Sequence, residues 1–417
     1  MNDSTNVLNV TQNDYNDVNA SNYQNINNNA NGSNNDNNYE NLPIARNDNK
    51  MIAKTEDDID AGFQKIANIY GENFFEKLTP FIKDNNITDI NCNGKDVWLN
   101  HIYKGRYKAD IDYTERDIEK LAYKISNTEN VQFNVNYPIL QADLSDLRFH
   151  FTHKSFSVSG TTCSIRKTPI IARIKEEDID SGKRVKYIHR AANELLKRCV
   201  RLRLNFIICG LTGSGKTELV KYLMKFTKDY ERIITIEDTS ELHLRQIYPD
   251  KDVVELKVNN FVDYDGAIRS CMRMLPVWVN LSEARGKEVK ELIKCISTGA
   301  KIITTIHCDN AKQIPSRLLN MFEDNELSNE KVKTMIYDYI DIGIHIKAEF
   351  EGSTVRYVDQ ITYYEVDENN EDKVYEIYKV TKDLNDVYHY KFNDFPESLL
   401  DKLSMSKEDM KNFWKEA

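Results

Sequence analysis

The stretch Gly210-Leu-Thr-Gly-Ser-Gly-Lys-Thr217 decides the fold of this chain. It follows an apolar run, Asn205-Phe-Ile-Ile-Cys209, that is typical of a buried strand, and it precedes Glu218–Phe226, whose apolar residues recur with the helical period. A glycine loop between strand and helix lets successive backbone N–H groups point at a phosphate, and the helix N-terminus adds positive potential. The stretch therefore predicts a nucleotide-phosphate site.

Two side chains of this loop have predicted roles of their own. Lys216 is long enough to reach the β- and γ-phosphates, and the Thr217 hydroxyl is suited to bind Mg²⁺. The predicted nucleotide-binding residues are Gly210, Leu211, Thr212, Gly213, Ser214, Gly215, Lys216 and Thr217.

Composition excludes several other classes of protein. The 417 residues carry a formal net charge of -10, so no global basic field recruits nucleic acid, and we expect no direct nucleic-acid binding. No stretch approaches the ~18 uninterrupted apolar residues of a membrane span, and no secretory signal is expected at the N-terminus. Seven cysteines without C-x-x-C spacing predict reduced thiols in a cytosolic protein, and no zinc site.

Changes in composition predict the domain organisation. Residues 1–50 contain 19 Asn and few large apolar side chains, which predicts a disordered low-complexity tail or, alternatively, a segment that folds on a partner. Residues 57–167 mix helix and strand patterns and predict an α+β domain. Residues 168–186 are predicted to be a linker, and residues 187–417 a second domain of α/β class.

Polar side chains follow the buried strands of this second domain. Apolar runs end in the phosphate loop, at Glu237, at Glu283 and at His307, and they alternate with helical patterns. Such runs indicate a parallel sheet covered on both faces. Because ligands of these sheets bind beyond the carboxyl ends of the strands, we expect the four endings to form one site.

Local patterns predict individual elements. Thr114 begins a capping pattern before a helix, and Asn93-Gly94 predicts a turn between two strands. An amphipathic helix is predicted from Ile59 to Phe74, and a strand hairpin with a helical appendage after about residue 340. The strands predicted in the first domain are Ile87–Ile90, Val97–Leu99, Leu147–Phe151, Ser155–Val158 and Thr162–Ile165.

Candidate catalytic residues follow from the needs of phosphoryl transfer to water, which are Mg²⁺, an oriented water and positive charge at the γ-phosphate. Glu237 and Glu283 are candidates for orienting water and supporting the metal, and His307 for donating to the γ-phosphate. The alternatives are a solvated carboxylate at the end of a strand for each glutamate, and a structural role for the histidine.

Residues from about 85 to 366 resemble the secretion ATPases of the type II and type IV families, the VirB11/CpaF-like group. The resemblance lies in a set of motifs that occur in the family's order. They are Asn136-Tyr-Pro-Ile139, Leu147-Arg-Phe149 and Ser164-Ile-Arg-Lys167, the Walker A loop, the Asp box Ile234–Leu242, the Walker B region Ile268–Pro276 with Ser282–Gly286, the His box Thr304–His307, and Arg317-Leu318.

The resemblance implies a RecA-like P-loop NTPase domain, preceded by a smaller α+β domain, in a homohexameric ring that binds ATP and Mg²⁺ between the domains. It implies that Arg148 and Arg166 reach the phosphates from the N-terminal domain. Thr217 and, through water, Glu283 would hold the metal. The implied function is an ATP-hydrolysing motor of type IV secretion, conjugation or Flp/Tad-like pilus assembly. It would be cytoplasmic, peripheral to the inner face of the membrane, and docked on membrane platform proteins.

Departures from the family's pattern keep alternatives open. Val277 stands where Asp is usual after the proline, Ser282 where Gly is usual, and Gly299–Ile302 lacks the usual Gly-His. These favour, as the alternative, an ATP-binding ring scaffold that hydrolyses slowly or not at all. A DNA-translocating RecA-like motor is a further alternative, against which the acidic charge balance counts. The absence of the type II tetracysteine insertion favours the type IV side.

Overall fold

The computed structural model describes residues 61–179, 185–286, 288–322, 328–350, 354–367, 369 and 371–416. The predicted Asn-rich tail lies outside the described residues. The elements before residue 170 are the helices α1 (Ala61–Tyr70), α2 (Thr79–Lys83) and α3 (Glu115–Glu129), and the strands β1 (Ile87–Cys92), β2 (Val97–His101), β3 (Gly105–Lys108), β4 (Ile139–Leu144), β5 (Leu147–Thr152) and β6 (Thr162–Lys167).

These strands form an antiparallel sheet of order β3-β2-β1-β6-β5-β4. The predicted cap of α3 is confirmed, because the Thr114 hydroxyl accepts from the Asp117 N–H and the Asp117 carboxylate accepts from the Thr114 N–H. The predicted strand at 155–158 is wrong. The N–H groups of Phe156 and Ser157 both donate to the His153 carbonyl, which closes a turn instead of a ladder.

The later elements build a second, larger sheet. Its helices are α4 (Glu176–Ile179), α5 (Arg190–Arg201), α6 (Lys216–Met224), α7 (Leu244–Ile247), α8 (Tyr264–Cys271), α9 (Glu288–Ser297), α10 (Ile314–Met321), α11 (Asn329–Tyr339), α12 (Glu397–Leu403) and α13 (Lys407–Glu416). Its strands are β7 (Phe206–Cys209), β8 (Ile233–Glu237), β9 (Val253–Lys257), β10 (Trp278–Leu281), β11 (Lys301–Ile306), β12 (Ile342–Phe350), β13 (Thr354–Val366), β14 (Asp372–Lys382) and β15 (Tyr388–Phe392).

The order of this sheet is β15-β14-β13-β12-β7-β11-β10-β8-β9. The six strands from β12 to β9 pair in parallel, and β12 to β15 pair antiparallel. The predicted parallel sheet is therefore confirmed. The phosphate loop leaves β7 between β11 and β12, so it opens beside the carboxyl end of β11, while β12 continues past it to Phe350.

Each sheet has its own apolar core, one drawn from residues 63–165 and the other from residues 170–410. Residues 51–417 nevertheless form one compact unit, so the predicted boundaries of domains and linker stay predictions. Ile170, Ile179 and Val185 are buried against the core of the second sheet, which shows that the predicted linker packs rather than hangs free where it is described. No helix among the described residues is long and apolar enough to cross a membrane.

Gly343 on β12 leaves no room for a side chain. A Cβ atom there would lie 1.8 Å from the Tyr364 hydroxyl and 2.5 Å from Thr362 Oγ1. The Tyr364 hydroxyl cannot easily withdraw, since it donates to the Ala311 carbonyl at 2.6 Å and its side chain is buried. The glycine thus permits the close approach of β12 and β13 beside the phosphate-loop strand.

We expect Gly343→Ala to lower the free energy of unfolding by roughly 1–3 kcal/mol, the usual cost of overpacking a core. Denaturant midpoints measure the effect, and the control is Gly286→Ala, where the added Cβ would meet nothing nearer than 3.9 Å. Adding Tyr364→Phe should recover part of the loss, because it removes the clashing oxygen. Equal midpoints for Gly343→Ala and the wild type would contradict this account.

Candidate functional site

The phosphate loop is held against β12. A Cβ on Gly210 would lie 2.5 Å from the Ile346 carbonyl oxygen, and the residue has a φ of +148°, so only glycine fits this close approach. The Ser214 hydroxyl is buried and has no hydrogen-bond partner among the described residues. An unpartnered donor inside a loop of converging amides fits an anionic ligand such as a phosphate.

Lys216, the first residue of α6, supplies the cation of the loop. Its Nζ donates to the carbonyls of Gly210 at 2.9 Å and Leu211 at 3.2 Å, and it lies 3.5 Å from His307 Nδ1. Burial lowers the pKa of Lys216. The ammonium is therefore already positioned over the loop, with neutral partners that a phosphate oxygen can replace.

Glu283 and His307 meet at the carboxyl ends of β10 and β11. Glu283 Oε1 lies 2.8 Å from His307 Nε2, while Oε2 accepts from Arg285 at 2.9 and 3.0 Å. Arg285 also pairs with Asp238 at 3.1 Å. The structure thus brings these predicted residues to Lys216, and it adds Arg285, which in the sequence only flanks the site.

Glu237 does not face this cleft. Its side chain is buried, and Oε1 accepts the backbone N–H groups of Glu241 and Leu242, both at 3.1 Å. Burial raises the pKa of Glu237 to about 8. The contacts show a carboxyl that fixes the turn after β8, and they do not favour the catalytic role predicted for it.

Glu241 occupies the place expected for Glu237. It lines the cleft, and its Oε2 accepts from the Thr217 hydroxyl at 3.4 Å. Burial raises the pKa of Glu241, and the nearby Arg166 guanidinium opposes that shift. The sequence contains one signal for it, a second carboxylate four residues after Glu237, but strand-end reasoning passes over it because it follows the turn.

Two arginines of the first sheet approach the second one. Arg166 on β6 lines the cleft, and its Nε donates to Asp89 at 3.0 Å. Arg148 on the adjacent β5 instead donates to the Thr239 hydroxyl and is not among the residues that line the cleft. Only one of the two predicted arginines therefore lines the cleft that contains the phosphate loop.

The cleft between the sheets has a volume of about 870 Å³, within the range of small-molecule sites. It contains the phosphate loop with its acidic and basic neighbours. Its lining also includes the apolar and aromatic side chains of Ile102, Tyr103, Ile174, Val185 and Tyr187. Polar and aromatic groups in one cleft suit the phosphates and the base of a nucleotide.

Arg356 on β13 connects the phosphate loop to the first sheet. Its Nε donates to the Gly213 carbonyl of the phosphate loop, and its Nη1 to the Ile102 carbonyl of the first sheet's β2–β3 turn, each at 3.0 Å. Thr354 N–H donates to the Tyr103 carbonyl beside it. These bonds tie the loop to the first sheet.

The donor set fits Mg²⁺ bound with a nucleotide. Among the described residues there is no group of three or more His, Cys, Asp or Glu side chains placed to hold a metal ion. Mg²⁺ does not need such a group, because it keeps several waters and takes one or two protein oxygens beside phosphates. The Thr217 hydroxyl and the carboxylates of Glu241 and Glu283 present oxygens to the cleft.

Sequence comparison finds a family model and relatives that match the part of the chain containing this site. The family model described as "Type II/IV secretion system protein" matches residues 145–394. An uncharacterized protein of Bacillus anthracis is 29% identical over 316 residues, covering 72% of this chain and 70% of the relative. The type IV secretion system protein VirB11 of Brucella suis is 26% identical over 321 residues, covering 69% of this chain and 88% of VirB11.

Structural comparison supports the fold. The X-ray structure of the Legionella pneumophila ATPase DotB aligns with a TM-score of 0.52 and 14% identity. The alignment covers 83% of this chain and 87% of that one. At this identity the likeness speaks for the fold alone, and it spans both sheets.

Glu237 also makes stability depend on pH. Between about pH 4.5 and pH 8 the folded protein keeps a proton on this carboxyl that the unfolded chain releases. Stability therefore falls as pH rises through that window. We expect Glu237→Gln to melt at a higher temperature than the wild type at pH 8, since the amide oxygen still accepts both N–H groups without a charge.

Thermal melts at several pH values between about 5 and 8 test this expectation. The control is Glu129→Gln at the exposed end of α3. If the melting temperatures of the wild type and Glu237→Gln changed equally with pH, the buried carboxyl would carry no such proton.

Proposed function

Because the chain belongs to the family of type II/IV secretion system proteins, we propose that it hydrolyses ATP as the motor of a secretion or pilus-assembly machine. The observation that carries the proposal is the convergence of Lys216, Thr217, Glu241, Glu283 and His307 on one cleft. These are the group types that phosphoryl transfer to water requires, and four different strand endings supply them.

Binding of ATP begins at the loop. The converging amides and the Ser214 hydroxyl bind phosphate oxygens, and Lys216 exchanges its carbonyl partners for the β- and γ-phosphates. Thr217 would hold Mg²⁺ together with carboxylate-bound water, and the ion, when bound, neutralises charge on the phosphates. In our proposal the base lies near Tyr187, an aromatic residue of the lining whose buried hydroxyl has no partner among the described residues.

We assign to Glu241 the role of general base, which accepts a proton from the attacking water. The carboxylate stands beside Thr217, and burial raises its pKa, which makes it a better proton acceptor. Glu237 acts indirectly: its carboxyl accepts the Glu241 N–H and so fixes the turn that positions Glu241 in the cleft. Glu283 accepts from His307 Nε2–H and so orients the ring, and Nδ1, when it also carries a proton, can donate to the γ-phosphate that reaches Lys216.

The first sheet contributes positive charge from across the cleft. Arg166 is aimed at the phosphates, and Arg148 would join it when the Asp-box loop that it now contacts moves. In our proposal, nucleotide binding draws the two sheets together and hydrolysis releases them. We place six such subunits in a ring at the cytoplasmic face of the membrane, docked on membrane components of the machine, as the resemblance of the motifs implies.

A slowly hydrolysing scaffold is the second candidate. The observation that favours it is the engagement of both Glu283 oxygens, one with His307 and one with Arg285. If these ion pairs persist with ATP bound, the subunit would bind nucleotide and assemble with little turnover. Steady-state turnover of the purified wild type, compared with its ATP affinity, separates the two candidates.

We predict that Lys216→Ala abolishes ATP turnover and removes most of the ATP affinity, because it deletes the cation of the phosphate loop. Phosphate-release assays and nucleotide titration measure the two effects. Lys228→Ala, which removes an exposed lysine, is the matched control. Near-normal hydrolysis by Lys216→Ala would place the active site elsewhere.

The two Asp-box glutamates should behave differently. We predict that Glu241→Gln keeps ATP binding but lowers turnover by roughly 10²-fold or more, the scale for losing a positioned acid–base group. Glu237→Gln should keep turnover within a few-fold, since its amide can hold the same turn. A severe loss for Glu237→Gln with an active Glu241→Gln would return the catalytic role to the residue at the strand end.

A further inference from the structure

One end of the first sheet has an exposed apolar surface that the nucleotide cleft does not use. Two loops form it, residues 130–138 before β4 and residues 153–161 between β5 and β6, and we call it the distal surface. The Pro138 carbonyl accepts the His153 N–H, so the loops lie side by side. Its exposed large apolar side chains are Val131, Val135, Tyr137, Ile139, Phe156 and Val158.

This surface lies at the far end of the strands from the cleft. On β6, Arg166 stands at the cleft, and Thr162 stands four residues away, where the second loop ends. At ~3.3 Å per residue these positions are about 13 Å apart. A partner on the distal surface would therefore leave the cleft free.

The distal surface is almost free of charge. Residues 130–139 and 153–161 contain a single Asp, Glu, Lys or Arg side chain, that of Lys154, although 29% of the chain is charged. The two carboxylates nearest the second loop have partners. Glu115 accepts the Thr161 N–H at 2.8 Å, and Glu119 pairs with Lys154 at 2.9 Å. So low a density of charge suits contact with an apolar phase, which selects against charged side chains.

The loops also satisfy much of their own backbone. The N–H groups of Phe156 and Ser157 donate to the His153 carbonyl, and Gly160 N–H donates to the Ser157 carbonyl. In the first loop, Asn134 and Tyr137 exchange backbone hydrogen bonds at 3.1 Å. Internal pairing matters most where the surroundings offer no hydrogen bonds, as in lipid.

We propose that the distal surface inserts into the interface of a lipid bilayer. Phe156, Val158 and Val135, whose exposed fractions are 62%, 105% and 67%, would enter the boundary of the acyl chains. Tyr137 would lie at the level of the headgroups. The proposal rests on the membrane location proposed above and adds the surface that makes direct contact, and it does not depend on ATP hydrolysis.

Sedimentation with phosphatidylcholine vesicles tests it with the full chain. We expect the wild type to bind, and the pair Phe156→Ser with Val158→Ser to lower the partition coefficient about tenfold or more. The pair Val135→Ser with Tyr137→Ser, in the other loop, should lower it as well. Leu384→Ser with Val387→Ser is the control, because these exposed residues of the β14–β15 hairpin lie outside the distal surface.

Salt and oligomeric state complete the test. Binding should be equal at about 0.1 M and 1 M NaCl, since an apolar contact is not screened. All three variant pairs should keep wild-type ATP turnover without vesicles, so a failed ATPase proposal would not be mistaken for a failed membrane proposal. The proposal is overturned if the wild type does not bind vesicles, if salt releases the wild type from them, or if the loop variants bind like the wild type. It is also overturned if the loop substitutions dissociate the oligomer in sedimentation velocity.

Discussion

The close packing of the phosphate loop against its neighbouring strands is the constraint from which the rest of the structure follows. The loop from Gly210 to Thr217 keeps its geometry only if its strand and its helix are fixed on both sides. Strands β11 and β12 fix β7, and the close packing at Gly343 and Gly210 leaves no slack on the β12 side. Polar endings of the neighbouring strands then meet at the loop without any further device.

The parts of this arrangement that the sequence predicts are those with strong local signals. Buried strands are continuous apolar runs, and Thr114 caps a helix with its own side chain. Both features can therefore be predicted from the local sequence alone. No continuous apolar run marks β4 or β9. Both are edge strands, and polar residues interrupt their apolar ones. The run at 155–158 has strand composition, yet its backbone bonds are taken by His153.

The candidate site shows the same limit at finer scale. Lys216, Glu283 and His307 lie where strand ends predict them, because a parallel sheet determines where its strands end. Glu237, the carboxylate predicted for the cleft, holds the turn, and Glu241 lines the cleft, since the direction of a carboxylate depends on the turn that follows the strand. Arg356 gives no local signal at all, because its partners at Gly213 and Ile102 are remote in the chain.

The bonds of Arg356 have a mechanical consequence. One guanidinium donates to both the phosphate loop and the first sheet. The orientation of that sheet and the geometry of the loop are therefore coupled. Such coupling is reciprocal: whatever nucleotide does to the position of the sheet, a load applied to the sheet must do to nucleotide affinity. In the proposed motor, a load on the first sheet would therefore be sensed at the nucleotide site.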